Sequence, residues 1–432
     1  MRWRFLHAAD LHLDSPLRGL DRHEGAPVEP LRSATRRALI ALVDLAIERE
    51  VQALLIAGDL YDGDWDDFRT GLFFHQQMNR LASRDIRVFI VRGNHDAESR
   101  ITRQLPPMAH VHVFESRRGG TVDLPDSGVA VHGRSFSKPA VTEDLLPGYP
   151  PPVPGRFNIG LLHTSLTGNP DHDPYAPTTE ARLIATGYDY WALGHIHQRQ
   201  VVRESSPCIV YPGNLQGRHA RETGPKGCEL VEIEHGRIVR HEPVVLDVLR
   251  WHRLELDLGG IDDLEALAQR IDPAFEALLA GEAGPGRAVG VDAGAASRLH
   301  CVRVVLRGRS RLHGAEAAQP GLLEAAVRAQ ALQQAGRLWI EQVRVELASP
   351  LDRGALAARD DALGEVLREV DRLLADPQAL RTWAEAALGA GANLPAELAD
   401  LRPERLDEAS WRALLLDAEA MVLAQLGRDL TT

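Results

Sequence analysis

Lysine is almost missing from this chain of 432 residues: only Lys138 and Lys226 occur, so nearly all of the 49 positive charges are arginines. A bias in codon usage is the expected cause, although arginine also grips phosphate in a planar, bidentate way. Cysteine is scarce too. Cys208, Cys228 and Cys301 show no CxxC spacing, and an odd count of three argues against a disulfide framework and for core residues in a reducing compartment. Long apolar runs are absent. The opening "MRWRFLHAADLH" lacks the long apolar run of a signal peptide, and nothing reaches the roughly 18 to 20 apolar residues of a membrane span. A cytoplasmic protein without membrane contact is expected, and repeats or low-complexity tracts are absent as well.

An excess of positive charge is lacking, which would ordinarily count against a nucleic-acid binder. The formal net charge is -12. Its distribution weakens the objection, because residues 351–432 hold nine arginines and sixteen acidic residues and so carry seven of the twelve excess negative charges. The remaining 350 residues are near balance.

What is present is an ordinary mix, 44% hydrophobic and 25% charged, with length enough for two or three domains. Up to about residue 245, apolar runs such as "VQALLIAG", "RVFIVRG", "RFNIGLLH" and "YDYWALGH" alternate with helical patterns, which indicates an α/β domain. One helical stripe, Leu39, Leu42, Val43, Ala46 and Ile47, is core packing. "GCELVEIEHGRIVRHEPV" reads as a closing hairpin. Beyond it come a strand (Leu254, Leu256, Leu258), a helix capped by Asp262, and strands at "LHCVRVVLRG" and "LWIEQVRVEL" around a second helix. The Gly/Ala-rich stretch 280–297 reads as a loop, and the last 82 residues as helical, with stripes at Leu363–Leu374 and Trp411–Leu426. The expected domains are therefore 1–248, a small α+β domain at 249–350, and a helical region at 351–432.

Five polar clusters stand at the C-terminal ends of the apolar runs, where ligands gather in α/β sheets. They are Asp10-Leu11-His12, Gly58-Asp59-Leu60-Tyr61-Asp62, Gly93-Asn94-His95-Asp96, His163, and Gly194-His195-Ile196-His197. Singly, each is an unremarkable polar strand end. Together they set carboxylate, imidazole and amide groups just beyond buried strands, where uncompensated polar groups are costly and a shared cation would compensate them all. In Asp-x-His and His-x-His, side chains two residues apart in extended backbone point the same way, so each motif aims two ligands at one place. Gly58, Gly93 and Gly194 are expected to let the backbone turn sharply. The donors mix oxygen and nitrogen without thiolate, which suits Mn²⁺, Fe²⁺ or a catalytic Zn²⁺, and seven candidates are enough for two ions if one carboxylate bridges.

The ordered set D-x-H, G-D-x-x-D, G-N-H-D, H and G-H-x-H resembles the calcineurin-like metallophosphoesterase superfamily. "HAADLHLDSPLRGL", "HDPYAP", "GHIHQRQ" and "YPGNLQGRHARETGPKGCELVEI" narrow the resemblance to SbcD-type DNA-repair exonucleases and, within them, to the YhaO-like branch. It is strong over the first 245 residues, looser in the α+β segment, and mainly positional in the helical region. The resemblance implies a layered β-sandwich flanked by helices, with a small α+β capping domain and a helical C-terminal tail.

It further implies one metal held by Asp10, His12, Asp59 and His197, and a second by Asp59, Asn94, His163 and His195, with Asp59 bridging and Mn²⁺ the favoured ion. His95 would face the scissile phosphate or leaving group, with Asp96 orienting its ring, and a metal-bridging hydroxide would attack in line. Some double-strand-break nucleases of the family have His at the end of G-D-x-x-D; here Asp62 stands there, and support of a ligand is its expected role. Arg218 and His219, with Arg221 and Lys226, divide evenly between contact with a nucleic-acid backbone and a solvated loop. His172 and Asp173 are read as either lining the substrate path or holding their own Pro-rich loop. DNA is the expected substrate. An SMC-like coiled-coil ATPase partner and a homodimer are implied by the resemblance. Two other readings stand beside it: hydrolysis of a small phosphodiester or phosphomonoester such as a cyclic nucleotide, and a weakly catalytic DNA-end-binding scaffold protein.

Overall fold

The computed structural model describes residues 2–15, 25–62, 68–98, 107–166, 175–280, 298–389 and 406–426. Two six-stranded sheets dominate the first part of the chain. Their strands are β1 (Arg2–Ala8), β2 (Ala53–Ala57), β3 (Arg87–Val91), β4 (Val111–Val113), β5 (Gly120–Leu124), β6 (Val129–Gly133), β7 (Phe157–His163), β8 (Tyr190–Gly194), β9 (Gln200–Arg203), β10 (Cys208–Tyr211), β11 (Gly227–Glu234) and β12 (Arg237–Val245). One sheet runs β12-β11-β1-β2-β3-β4, the other β5-β6-β7-β8-β10-β9. The inner strands β1 to β4 are mutually parallel, as are β6, β7, β8 and β10, while β11, β12, β5 and β9 pair antiparallel at the margins.

The two-residue period of the strands sorts their side chains between two cores. Ala53 and Leu55 of β2 join Phe5, Phe89, Val131, Ile159, Leu161, Tyr190 and Val210 in a layer contributed by both sheets. Leu54 and Ile56 of the same strand face the other way, against Leu39, Leu42, Val43 and Ala46 of α1 (Val28–Glu48) and Phe74, Met78 and Leu81 of α2 (Arg69–Ala82). On the second sheet, Leu162, Trp191, Leu193 and Ile209 meet Leu183 of α3 (Glu180–Ala185). A strand covered on both faces must be apolar at every position, and each such side chain contributes about 1.5–3 kcal/mol. The layered sandwich flanked by helices is thus as expected, and so is the β11–β12 hairpin. All three cysteines are buried and unpaired.

The chain falls into two compact units, one of Met1–Arg253, Gly281–Val302 and Gly336–Glu341, the other of Leu254–Ala280, Arg303–Ala335 and Gln342–Thr432. A third sheet has the order β13 (Leu249–Asp257), β14 (Leu299–Arg309), β15 (Leu338–Ala348). Within the second unit, α4 (Leu264–Ala280) buries Leu267, Ile271 and Phe275 and packs with α6 (Leu322–Leu332), which follows α5 (Leu312–Ala318). The α4 cap is Asp263, which accepts the Ala266 N–H at 2.8 Å; Asp262 instead accepts from Arg311 N. The Gly/Ala-rich stretch lies, from residue 281 on, outside the described residues.

The C-terminal helices are α7 (Arg353–Ala357), α8 (Ala362–Ala375), α9 (Pro377–Gly389) and α10 (Glu408–Leu426). Val370, Leu373, Leu380 and Leu415 form their shared core. α10 packs against α5, α8 and α9, and its buried Glu419 takes the Arg353 guanidinium bidentately at 2.7 and 2.9 Å. Among the described residues no helix is long and apolar enough to cross a membrane.

Candidate dinuclear metal centre

The five strand-end clusters come together in the first unit. Beyond their last residues β1 and β2 stay tied to each other, since Asp10 N donates to Gly58 O, His12 N to Asp59 O and Leu13 N to Leu60 O at 2.9–3.0 Å. That continuation is bought with strain. Asp10, His12, Asp59 and His195 all hold positive φ, at 51°, 44°, 50° and 102°. Non-glycine residues avoid this region at a cost of about 1–3 kcal/mol each, and such strain concentrates at functional sites.

The donors converge in three overlapping groups, one of them His12, Asp62 and His95. Asp10, His12 and His197 bring ligand atoms within 4.8 Å of one another, and so do Asp10, Asp59 and His163. His12 Nε2 and His197 Nε2 lie 3.2 Å apart, and Asp10 Oδ1 is 3.8 Å from the latter. Asp59 Oδ2 lies 3.4 Å from His163 Nε2 and 3.9 Å from His12 Nε2, so one carboxylate oxygen stands between the two groups. Asn94 Oδ1 is 3.0 Å from His163 Nε2.

Hydrogen bonds on the far sides of the rings fix which nitrogen faces inward. His163 Nδ1 donates to Ala57 O at 3.0 Å, and His197 Nδ1 to Glu222 Oε1 at 2.6 Å, which leaves both Nε2 lone pairs aimed into the centre. Lone pairs facing lone pairs and a shared carboxylate need a positive charge between them. A proton meets part of that need: although burial of His163 disfavours the imidazolium, Asp59 and Asp10 lift it to about 9. Burial likewise pushes Asp59 up, but His163, His12 and His95 outweigh it and hold the carboxyl far below its usual range. Such a donor set fits divalent cations, which would displace the proton.

His195 is placed differently from the others. Its backbone N–H donates to both oxygens of Asp10, at 3.2 and 2.9 Å, and its ring centroid stands 5.3 Å from that of His163. The ring lies in the neighbourhood but outside the tight donor groups of the described residues.

Comparison with known proteins agrees with this geometry. The calcineurin-like phosphoesterase profile matches residues 4–199, and the profile of the middle domain of metallophosphoesterase YhaO matches 251–348. The chain is 35% identical over 277 residues to an uncharacterized metallophosphoesterase YhaO of Bacillus subtilis, a match covering 63% of this chain and 68% of that protein. The chain belongs to the YhaO-type calcineurin-like metallophosphoesterases. More distant relatives are the DNA double-strand break repair protein Mre11 of Methanopyrus kandleri, 25% identical over 279 residues and 58% of each chain, and the SbcD component of the nuclease SbcCD of Bacillus subtilis, 22% identical over 290 residues, 57% of this chain and 72% of that one.

Beside the donors of this metallophosphoesterase stands His95, its backbone N–H on Asp59 Oδ1 at 3.1 Å. The expectation that Asp96 orients its ring is corrected. Asp96 opens a short 3-10 turn (Asp96–Glu98) and folds back to accept the backbone N–H groups of Leu60, Tyr61 and Gly93 at 2.9–3.1 Å. Three donors from two strand ends occupy both its oxygens, so it staples the loops together. Burial and the neighbouring Asp59 still lift its carboxyl to about 6 against those hydrogen bonds. The carboxylate on His95 is Asp62, whose Oδ1 lies 2.9 Å from His95 Nδ1 and 3.4 Å from His12 Nδ1. The Asp62 hydrogen bond raises the His95 imidazole above its ordinary value, despite partial burial.

The glycines need a second correction. Of Gly58, Gly93 and Gly194, Gly58 alone has positive φ, at 93°; Gly93 and Gly194 are required because a Cβ would collide with the Asp59 carboxylate and with the Ala57 carbonyl respectively. The segment after "YPGN" is solvated only in part, with Arg221 exposed. Lys226 is 5% exposed and donates to His197 O at 2.7 Å, and the Arg218 side chain is 14% exposed, with NH1 3.6 Å from Asp62 Oδ2. His219 stays half exposed, 3.5 Å from Glu222. Glu222 escaped the sequence reading because no motif marks it; its only signal was an acidic residue within an otherwise basic run. His172 and Asp173 lie outside the described residues.

Proposed function

We propose that this metallophosphoesterase is a phosphodiesterase acting on DNA, an exonuclease of repair or end processing in the cytoplasm, loaded with two divalent cations, Mn²⁺ above Fe²⁺ or Zn²⁺. The observation that carries the reading is the His95–Asp62 pair set against a carboxylate, Asp59, that stands between two groups of converging donors. The ligands proposed for one cation are Asp10, His12, Asp59 and His197, and for the other Asp59, Asn94, His163 and His195. Bound there, two cations neutralise phosphate charge and acidify water for in-line displacement at phosphorus.

The chain's own residues supply the rest. Nδ1 of His95 donates to Asp62, so the imidazolium that this carboxylate favours carries its second proton at Nε2, the one to be given to a leaving oxygen, and the side chain is 41% exposed. A protonated imidazole beside Asp59 and Asp62 suits an acid that neutralises a departing sugar alkoxide. DNA is favoured over a small diester by the relatives named for double-strand break repair and for a nuclease, and by a further 98-residue match beyond the phosphoesterase segment. An SMC-like coiled-coil ATPase partner and a homodimer belong to the same proposal.

The test is a Mn²⁺-dependent assay on end-labelled single- and double-stranded DNA, run beside a cyclic nucleotide, with His95→Asn as control. The expected result is release of nucleotides from DNA ends, lost in the variant. Turnover of the cyclic nucleotide alone supports the small-substrate reading, and DNA binding without turnover supports the scaffold reading. Removing residues 355–432 tests the partner: soluble, active protein that no longer co-purifies with an ATPase supports docking, whereas insolubility supports packing of these helices onto the protein's own core.

A further inference from the structure

Behind the donors lies a strap, residues 214–226, that belongs to none of the five strand-end motifs. Glu222 is its centre. Its Oε2 accepts the Arg218 N–H at 2.7 Å and Asn214 Nδ2 at 3.0 Å, while Oε1 takes His197 Nδ1. The Arg218 guanidinium reaches both ways from there. NH2 lies 3.4 Å from Glu222 Oε1, and NH1 lies 3.3 Å from Ser15 Oγ and 3.6 Å from Asp62 Oδ2. Ser15 Oγ in turn donates to Asp62 Oδ2 at 2.6 Å.

One guanidinium therefore stands between two carboxylates, and each carboxylate holds the Nδ1 side of one histidine of the centre. A buried carboxylate, Glu222, and a partly buried one, Asp62, left without a cation would be driven apart or neutralised. The planar fork of arginine can serve both at once, where a lysine ammonium on one stem cannot. These contacts engage NH1 and NH2, and Nε is buried without a partner among the described residues, so a phosphate could reach NH1 or NH2 only by breaking these pairs.

We propose that Glu222 and Arg218 are positioning residues of the metal centre: Glu222 sets the His197 ring so that Nε2 faces the cations, and Arg218 ties Glu222 to Asp62, so that the His197 and His95 rings are placed by one shared ion cluster. The proposal rests on the dinuclear reading. Loss of either residue therefore acts on metal affinity first, and loss of Arg218 acts on His95 as well.

The experiment compares wild type with Glu222→Gln, Arg218→Gln and Arg218→Lys in the full chain, after EDTA treatment and Mn²⁺ titration by calorimetry. Glu222→Gln should weaken one of two Mn²⁺ sites about 10- to 100-fold, the usual effect of losing a partner behind a ligand. Arg218→Gln should weaken the same site and also lower kcat at saturating Mn²⁺, and Arg218→Lys should fall between. The His197 Nδ1 proton, followed by NMR in the metal-free protein, should vanish in Glu222→Gln and shift in Arg218→Gln.

Wild-type isotherms in both glutamine variants would overturn the proposal, as would a rise in KM alone for Arg218→Gln, which marks a phosphate contact. Should a glutamine variant fail to fold by circular dichroism, Arg218→Lys decides, and a wild-type isotherm with wild-type kcat refutes the tie. A wild type that binds fewer than two Mn²⁺ contradicts the dinuclear reading itself, and the NMR signal then still decides whether Glu222 holds His197.

Discussion

Replacing Asp62 with Asn keeps the shape of the side chain but removes the charge that holds His95. In the structure Asp62 Oδ1 meets His95 Nδ1 at 2.9 Å, and Oδ2 accepts Ser15 Oγ at 2.6 Å. A hydrogen bond to a charged partner contributes about 1.5–3 kcal/mol, and His95 is 41% exposed, so solvent screening puts this pair at the lower end. At about 1.4 kcal/mol per decade, that is a 10- to 30-fold loss of rate.

The loss should depend on the leaving group. A DNA diester expels a sugar alkoxide that needs a proton, whereas bis(4-nitrophenyl) phosphate expels a phenolate that leaves without one. With Mn²⁺ saturating, kcat on DNA should fall 10- to 30-fold and kcat on the nitrophenyl diester less than about threefold, with two Mn²⁺ still bound. His95→Asn should show the same contrast at about 10²- to 10⁴-fold on DNA. Equal losses on both substrates, or loss of a metal ion in either variant, would refute the assignment of proton transfer to this pair.

Asp96→Asn tests the staple instead. An amide NH₂ must face at least one of the three N–H donors, costing about 1–3 kcal/mol, so the melting temperature should drop by several degrees while kcat at saturating Mn²⁺ holds within a few fold. Gly93→Ala drives a methyl group into the Asp59 carboxylate, so calorimetry should show both Mn²⁺ affinities reduced. The pH dependence follows from His163, whose value is raised from 6.5 to about 9. In EDTA-treated protein its imidazolium stabilises the fold fully below pH 6.5, and that contribution is lost as pH rises through about 9. A cation competes for the same site, so Mn²⁺ affinity should climb about tenfold per pH unit from 7 to 9 and then level off; a flat profile would show that no proton is displaced.

The parts of the centre that were legible in the sequence are those written by local geometry. Asp-x-His and His-x-His follow the strand period, and the buried strands announce themselves as unbroken apolar runs ending in glycine. What was not legible depends on where side chains turn after the strand ends. Asp96 adjoins His95 in sequence, yet its position at the start of a 3-10 turn sends its carboxylate back to three N–H groups, while Asp62 arrives from the end of another strand. Glu222 reaches His197 from a separate strap whose path only the folded chain defines. The glycines were recognised as necessary for the wrong reason at two positions of three, because a collision with a neighbour's carboxylate or carbonyl leaves no local trace. The cap at Asp263 rather than Asp262 is a slip of one residue between two equally capable aspartates.

Anomalous diffraction from crystals soaked in Mn²⁺ puts the central claim to its most direct test. Two peaks about 3.5–4 Å apart are predicted, one within Asp10, His12, Asp59 and His197, the other within Asp59, Asn94, His163 and His195, with Asp59 touching both. A single peak, or a peak among His12, Asp62 and His95, whose donor atoms also converge, would contradict it.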